Sequence, residues 1–179
     1  MRFPIVALFA VLFAFAPACA QAANPAPSNS TPSNRAPSNT ATAKTPANGL
    51  DTAAKARLVG EHLLTLQWLG WGDLSGAGRL RVEDRGDSLA ANGEQLGSGE
   101  NAGDYLRMSG RIVSASRDGF VFEGDIAIRV HHNADGAECK RSGIFHFKAT
   151  GKRKYWRMQE MDNPCDGVTD YVDVYFRGI

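Results

Sequence analysis

The histidines are the residues best suited to acid–base chemistry or metal binding. The chain has four of them, His62, His131, His132 and His146. In the predicted strands, alternation places His131 and His146 on the outer face and His132 on the other. His131 and His146 are therefore the pair that a metal ion could use, but their spacing matches no zinc signature. The sequence favours ordinary surface histidines, with no metal site and no cofactor.

A catalytic histidine needs a partner nucleophile, and no motif for one is present. There is no Gly-x-Ser-x-Gly sequence. The glycine-rich stretches "GDLSGAGR" and "SGENAGD" lack the Gly-Lys-Ser/Thr of a phosphate-binding loop. The sequence favours a non-catalytic protein and assigns no catalytic residue, with a hydrolase of unrecognised site as an alternative.

A tyrosine and arginine group provides the candidate binding surface. In "GKRKYWRMQEMDNPC", Tyr155 and Arg157 share one face of a predicted strand. If this strand forms a hairpin with the last one, that face also carries Tyr171, Asp173 and Tyr175. Tyrosine and arginine are favoured at recognition surfaces. The alternative is that tyrosines simply suit the exposed face of a sheet.

The first 22 residues predict a secretory signal peptide. Arg2 precedes an apolar run from Ile5 to Ala16, and small residues follow it. The run is too short to span a bilayer, and no later run is long enough. Cys19 follows Ala-Pro-Ala in a sequence that departs from a bacterial lipoprotein box, so a lipid anchor at Cys19 is the alternative to cleavage without lipidation.

Residues 23–49 are rich in Pro, Ser, Asn and Thr and repeat an Ala/Thr-Pro-Ser-Asn unit. Such a segment buries too little apolar surface to offset its ordering entropy, so it predicts a disordered spacer. Residues 50–179 have the size of one domain. Arg2, Arg35 and Lys44 precede this domain, which leaves it 17 basic against 19 acidic residues. That balance argues against nucleic acid as a partner.

The cysteines of the domain, Cys139 and Cys165, predict a disulfide bond in an oxidising compartment. An exported domain of this kind is expected to be secreted or periplasmic, or tethered to the outer membrane if Cys19 is lipidated.

The domain is predicted to be all-β with one N-terminal helix. Leu58, His62, Leu66 and Leu69 recur at spacings of three and four, which indicates a helix over residues 51–69. From Arg79 onward the apolar period changes to two, and turn-rich links separate six to seven strands. Consecutive strands with short links indicate an antiparallel meander.

Glycines on the apolar faces of three central strands, Gly110, Gly124 and Gly143, predict a strongly curved sheet or a small barrel. The Gly-Trp start and the meander resemble the calycins (lipocalins, avidins and fatty-acid-binding proteins) in general plan, without a diagnostic motif of those families. A flat sandwich is the alternative.

These features favour an exported cell-envelope module that binds another protein. One alternative is a carrier that holds a small apolar ligand inside the barrel. The identity of the ligand or partner and the oligomeric state are left open by the sequence.

Overall fold

The computed structural model describes residues 49–70 and 74–179. The predicted signal peptide, Cys19 and the predicted spacer before Gly49 lie outside the described residues and stay predictions. The elements are α1 (Thr52–Leu58), β1 (Gly60–Leu66), β2 (Gly78–Asp84), β3 (Leu89–Leu96), β4 (Tyr105–Ala115), β5 (Gly119–Arg129), β6 (Glu138–Lys148), β7 (Tyr155–Met158) and β8 (Val172–Tyr175). Short 3₁₀ turns occupy Gln67–Leu69, Leu74–Gly76, Gly99–Asn101 and Ala134–Gly136.

The eight strands form a closed antiparallel barrel in which each strand pairs with the next along the chain. Closure comes from β1, which pairs with β2 on one side and with β8 on the other. Closing the sheet removes its edges, so no strand is left with unpaired backbone groups along a whole side. The predicted all-β meander and barrel are confirmed. Within the described residues, no helix is long and apolar enough to cross a membrane.

The predicted helix over residues 51–69 is wrong beyond Leu58. The helix starts at an Asp51 cap, whose side chain accepts a hydrogen bond from the Ala53 backbone N–H. It ends before Gly60, whose φ of +126° suits glycine and turns the chain into β1. Residues 60–66 form a strand that gives both β2 and β8 a hydrogen-bonding partner. The barrel therefore has eight strands, more than the six or seven that the sequence predicts.

The glycine row lies where the sequence predicts. Gly110 on β4 pairs with Gly124 on β5, and Gly124 pairs with Gly143 on β6. A Cβ on Gly110 would come within 2.3 Å of the Glu123 carbonyl oxygen and 2.9 Å of the Phe122 ring. The close approach of the β4 and β5 backbones at Gly110 and Gly124 is possible only without side chains, and it lets the sheet bend, whereas a Cβ on Gly143 would meet nothing within 4 Å.

Buried apolar side chains from all eight strands line the barrel interior. Phe120 and Phe147 stack with ring centroids 4.7 Å apart, and Trp156 meets Phe120 edge-on. Ala54 and Leu58 of α1 are buried in the same cluster. Fully buried members from the strands include Leu64, Leu66, Leu80, Leu89, Leu106, Ile112, Phe122, Ile126, Met158, Val172 and Val174.

The long β7–β8 connection is fastened to the barrel by the predicted disulfide, which is confirmed. Cys139 on β6 bonds to Cys165 in the connection, with their Cα atoms 6.0 Å apart. The connection also contains Asp170, which is fully buried. Its carboxylate accepts hydrogen bonds from Trp68 Nε1 (3.1 Å) and Asn163 Nδ2 (3.0 Å). These contacts hold the start of β8 in place.

Arg141 is the cationic neighbour of Asp170, at 3.6 Å. Burial raises the pKa of the Asp170 carboxyl and lowers the pKa of the Arg141 guanidinium. Both shifts have desolvation as their largest cause, so the attraction between the two charges only partly offsets the cost of removing them from water.

Candidate functional site

The β7–β8 hairpin brings together all five residues of the predicted binding face. Tyr155 pairs with Tyr175, and Arg157 pairs with Asp173. Tyr171 directly precedes β8 and lies beside the Arg157 guanidinium. We call these five residues, Tyr155, Arg157, Tyr171, Asp173 and Tyr175, the tyrosine surface. Three of the four tyrosines of the chain belong to it.

The centre of the tyrosine surface is an ion pair. Arg157 Nε and Nη2 each donate a 2.7 Å hydrogen bond to one carboxylate oxygen of Asp173. The side chains are only 16% and 8% exposed, so solvent screens the pair little. The hydrogen bonds to Asp173 are the main reason that the pKa of Arg157 is raised. Asp173 therefore offsets the charge of Arg157 at the centre of the surface.

Tyrosine rings flank this ion pair. The Arg157 guanidinium carbon lies 4.2 Å from the Tyr171 ring centroid and 5.2 Å from that of Tyr155. The Tyr155 and Tyr175 rings are 5.1 Å apart. Stacking on a guanidinium fixes ring orientation and adds cation–π attraction.

The neighbouring strand β1 supports the surface from the other side. Thr65 pairs with Asp173 and its hydroxyl contacts the Tyr175 phenol. Burial, with the nearby Asp173 charge, raises the pKa of the Tyr175 phenol. That phenol is therefore neutral at physiological pH and can donate a hydrogen bond.

The basic residues 152–154 directly precede Tyr155 and are exposed. Arg153 lies 5.7 Å from the Tyr155 ring and is exposed, while Trp156 and Met158 point into the core. The stretch is thus a strand with one buried face and one face that contributes to the tyrosine surface. This is the alternation expected of a half-buried strand.

The predicted metal pair, His131 with His146, is not brought together. His146 is paired with Val121 near the start of β5, whereas His131 follows the end of that strand. Ten residues of extended chain separate the two positions, which corresponds to roughly 30 Å. His146 instead bonds through Nδ1 to Glu160, at 2.7 Å. Desolvation of Glu160 is outweighed by its hydrogen bonds with His146, so the pKa of Glu160 is lowered.

The structure places His131 beside His132 and Asp104, a cluster that the sequence interpretation missed. Strand β5 ends at Arg129, so alternation no longer applies to the two histidines that follow. Their ring centroids are 4.7 Å apart. One possible ligand atom from each of Asp104, His131 and His132 lies within 4.8 Å of the others. The turn-forming Asn133-Ala-Asp-Gly136 after the histidines was the signal that the strand would stop before them.

A cleft of about 330 Å³ lies at the other end of β5. Its lining includes Asp118, Phe120, His146 and Lys148. The volume is at the lower limit of small-molecule sites. The cleft is open to solvent, so it differs from the enclosed cavity that a carrier would use.

Residues 46–176 match the model of the PM1083 family. The chain belongs to the PM1083 family. It is 42% identical over 120 residues to "Uncharacterized protein PM1083" of Pasteurella multocida (strain Pm70), an alignment that covers 67% of this chain and 74% of that protein. No solved structure matches.

The PM1083 family match spans the whole barrel from β1 to β8. It includes the tyrosine surface as well as the Asp104, His131 and His132 cluster. Both candidate sites are therefore parts of the family domain and not of the segment before it.

Proposed function

We propose that this PM1083 family barrel is an exported, non-catalytic binding module of the cell envelope, and that the tyrosine surface docks a partner protein. The observation that carries the proposal is the gathering of three of the four tyrosines around one neutralised arginine. Buried apolar side chains line the barrel interior, whereas the tyrosine surface lies on the outer face of β7 and β8.

The tyrosine surface is suited to protein recognition because its side chains are already ordered. Interfaces lose affinity when flexible side chains must be immobilised on binding. Here Asp173 holds Arg157 and the Arg157 guanidinium lies against two tyrosine rings, so little ordering remains. Rigid tyrosines offer a large apolar area together with a hydroxyl group.

The charge of the surface indicates the kind of partner. Asp173 neutralises Arg157 and the phenol of Tyr175 is uncharged, while the exposed Arg153 adds a cation beside the Tyr155 ring. We expect a partner segment that offers apolar side chains and hydrogen-bond acceptors, not a polyanion such as a nucleic acid.

Catalysis is disfavoured by the contacts of the histidine rings. His131 and His146 bond to carboxylates, and His62 bonds to the backbone carbonyls of Leu58 and Tyr175. None of these contacts pairs a histidine with a hydroxyl or a thiol, which a general base would activate.

Export to the envelope is supported by the predicted signal peptide, by the spacer that follows it and by the disulfide, which is typical of oxidising compartments. Fractionation of cells that express the full chain tests this part. We expect the processed protein outside the cytoplasm and full-length, cytoplasmic protein after deletion of residues 5–16. An unprocessed cytoplasmic wild type would contradict it.

Docking is tested by site-specific photo-crosslinking in cells. A photoreactive amino acid at position 171 should give a discrete protein adduct, and the same amino acid at position 105 should not. The adduct should disappear in a Tyr155→Ala/Tyr175→Ala background. Tyr105→Ala is the matched control background, in which the adduct from position 171 should remain. Tyr105 is also half-buried on the outer face, and its ring lies 4.0 Å from the Arg107 guanidinium. An adduct that survives the double substitution, or that forms equally from position 105, would overturn the proposal.

A further inference from the structure

The geometry points to a second site, independent of the tyrosine surface: Asp104, His131 and His132 together bind a divalent transition-metal ion such as zinc. The metal site lies beside the start of β4 and the end of β5, whereas the tyrosine surface lies at β7 and β8, and neither uses a residue of the other. A negative result for metal binding would therefore leave the proposed docking function untouched, and the reverse also holds.

Strand pairing brings the three residues to one end of the barrel. Tyr105 at the start of β4 pairs with Arg129 at the end of β5. Asp104 directly precedes Tyr105, and His131 lies two residues after Arg129. The Asn133 N–H donates to the Val130 carbonyl at 2.9 Å, which turns the chain immediately after the strand. This turn allows consecutive histidine side chains to lie side by side.

Asp104 holds His131 in a fixed position. Its carboxylate accepts the His131 backbone N–H at 2.8 Å and contacts the His131 Nδ1 at 2.7 Å. The Asp104 side chain is only 2% exposed, whereas that of His131 is 53% exposed. A buried carboxylate thus keeps an accessible imidazole beside it, so that one carboxylate oxygen and one ring nitrogen lie close enough to share an ion.

His132 completes the cluster. Its ring lies nearly perpendicular to that of His131, at an interplanar angle of 82°. On its other side it meets the Trp68 ring edge-on, with centroids 5.9 Å apart. The exposed His132 ring thus lies between the rings of His131 and Trp68.

The spacing of the ligand atoms suits a transition metal. One atom from each residue lies within 4.8 Å of the others. An ion bonded at about 2.1 Å to each needs the ligand atoms about 3–3.5 Å apart, which rotation of the exposed His132 ring can supply. Two imidazoles and one carboxylate suit zinc, copper, nickel or iron, whereas calcium and magnesium prefer oxygen ligands alone. Three protein ligands leave at least one coordination position for water.

The test is calorimetric titration of the purified, tag-free protein with zinc chloride. We expect one zinc ion per wild-type chain, with an affinity at least tenfold lower in His131→Ala, His132→Ala and Asp104→Asn. His146→Ala is the matched control, because His146 is likewise an exposed histidine whose Nδ1 lies 2.7 Å from a carboxylate. It should bind as wild type does. Magnesium should give no saturable binding.

A second readout protects the test against misfolded variants. Cobalt(II) bound to the wild type should give visible absorption bands of a protein-bound ion, and these should be lost in His132→Ala. His132 is exposed, so its substitution is expected to leave the fold and the circular dichroism spectrum unchanged. The proposal is overturned if the wild type shows no saturable zinc binding. It is also overturned if His132→Ala binds zinc as tightly as wild type, or if His146→Ala is weakened equally.

Discussion

Arg157 on β7 lies directly opposite Asp173 on β8 and donates two 2.7 Å hydrogen bonds to its carboxylate. This one pair joins two short strands, fixes their register and neutralises the centre of the tyrosine surface. The strands β7 and β8 have only four residues each, so side-chain bonds between them matter more than they would in a long ladder.

Replacing Asp173 by Asn should destabilise the protein. The substitution leaves the half-buried Arg157 charge without its partner, and hydrogen bonds to charged groups contribute about 1.5–3 kcal/mol. We expect the free energy of unfolding to fall by about that amount, measured by urea denaturation.

Arg111→Ala is the matched control for this substitution. Arg111 and Glu123 also pair across two strands, but their side chains are 56% and 44% exposed. Exposed pairs contribute about 0–1 kcal/mol. An Arg111→Ala variant that is destabilised as much as Asp173→Asn would contradict the importance assigned to burial of the Arg157–Asp173 pair.

Gly124→Ala should also destabilise the barrel. The added Cβ would lie 2.4 Å from the Ser109 carbonyl oxygen and 2.7 Å from the Gly110 Cα, so backbone must move. Overpacking of this kind costs roughly 1–3 kcal/mol. Gly76→Ala is the control, since nothing lies within 4 Å of its Cβ position and its φ is not positive. Equal unfolding midpoints for the two variants would show that the glycine row does not set the curvature.

Loss of the disulfide should lower stability strongly. The bond joins residues separated by 26 positions, and closing a loop of that length contributes about 3.5 kcal/mol on the chain-entropy model. Replacing both cysteines by alanine should therefore reduce the free energy of unfolding of the oxidised protein by about that amount. A reducing agent should lower the thermal midpoint of the wild type and leave that of the double variant unchanged. A wild type insensitive to the reducing agent would contradict the prediction.

The contribution of Asp170 to the free energy of unfolding should fall as the pH rises. Burial raises its pKa above the ordinary value of 3.8 in the folded state, so the folded protein holds this proton more tightly than the unfolded chain does. The resulting stabilisation is complete below pH 3.8 and is lost as the pH rises through the folded-state pKa.

The stability of the wild type relative to Asp170→Asn should therefore decrease across that pH window, measured by urea denaturation at a series of pH values. If the free energy of unfolding of the wild type relative to Asp170→Asn stays constant or grows with pH, the pKa of Asp170 is not raised by folding.

Local patterns were enough to predict most of the sheet. The strands from β4 to β6 alternate apolar and polar residues over much of their length, and turn residues separate them. The same patterns failed for residues 60–66, because Leu58, His62, Leu66 and Leu69 fit a helical period. His62, Leu64 and Leu66 also fit a strand period, and only the need of β2 and β8 for a shared partner decides between the two.

For the candidate sites too, local patterns predict one part and strand pairing decides the other. Alternation within β7 and β8 correctly placed Tyr155, Arg157, Asp173 and Tyr175 on one face, since register in a short hairpin follows from the pattern. Asp104 and His131 are 27 positions apart, and no local pattern connects them. Their contact exists because β4 and β5 pair along their whole length and bring a strand start beside a strand end.

The sequence by itself determined the all-β class, the disulfide partners, the glycine row and the shared face of the tyrosine surface. Each of these depends on residue type, on alternation or on the pairing of the few available cysteines. The tertiary structure alone decided that β1 closes the barrel, that Arg157 and Asp173 bond in a half-buried setting, and that Asp104 meets His131 and His132. These relationships depend on which strands become neighbours when the sheet closes on itself. Closure is favoured because it leaves fewer backbone N–H and C=O groups without a hydrogen-bonding partner.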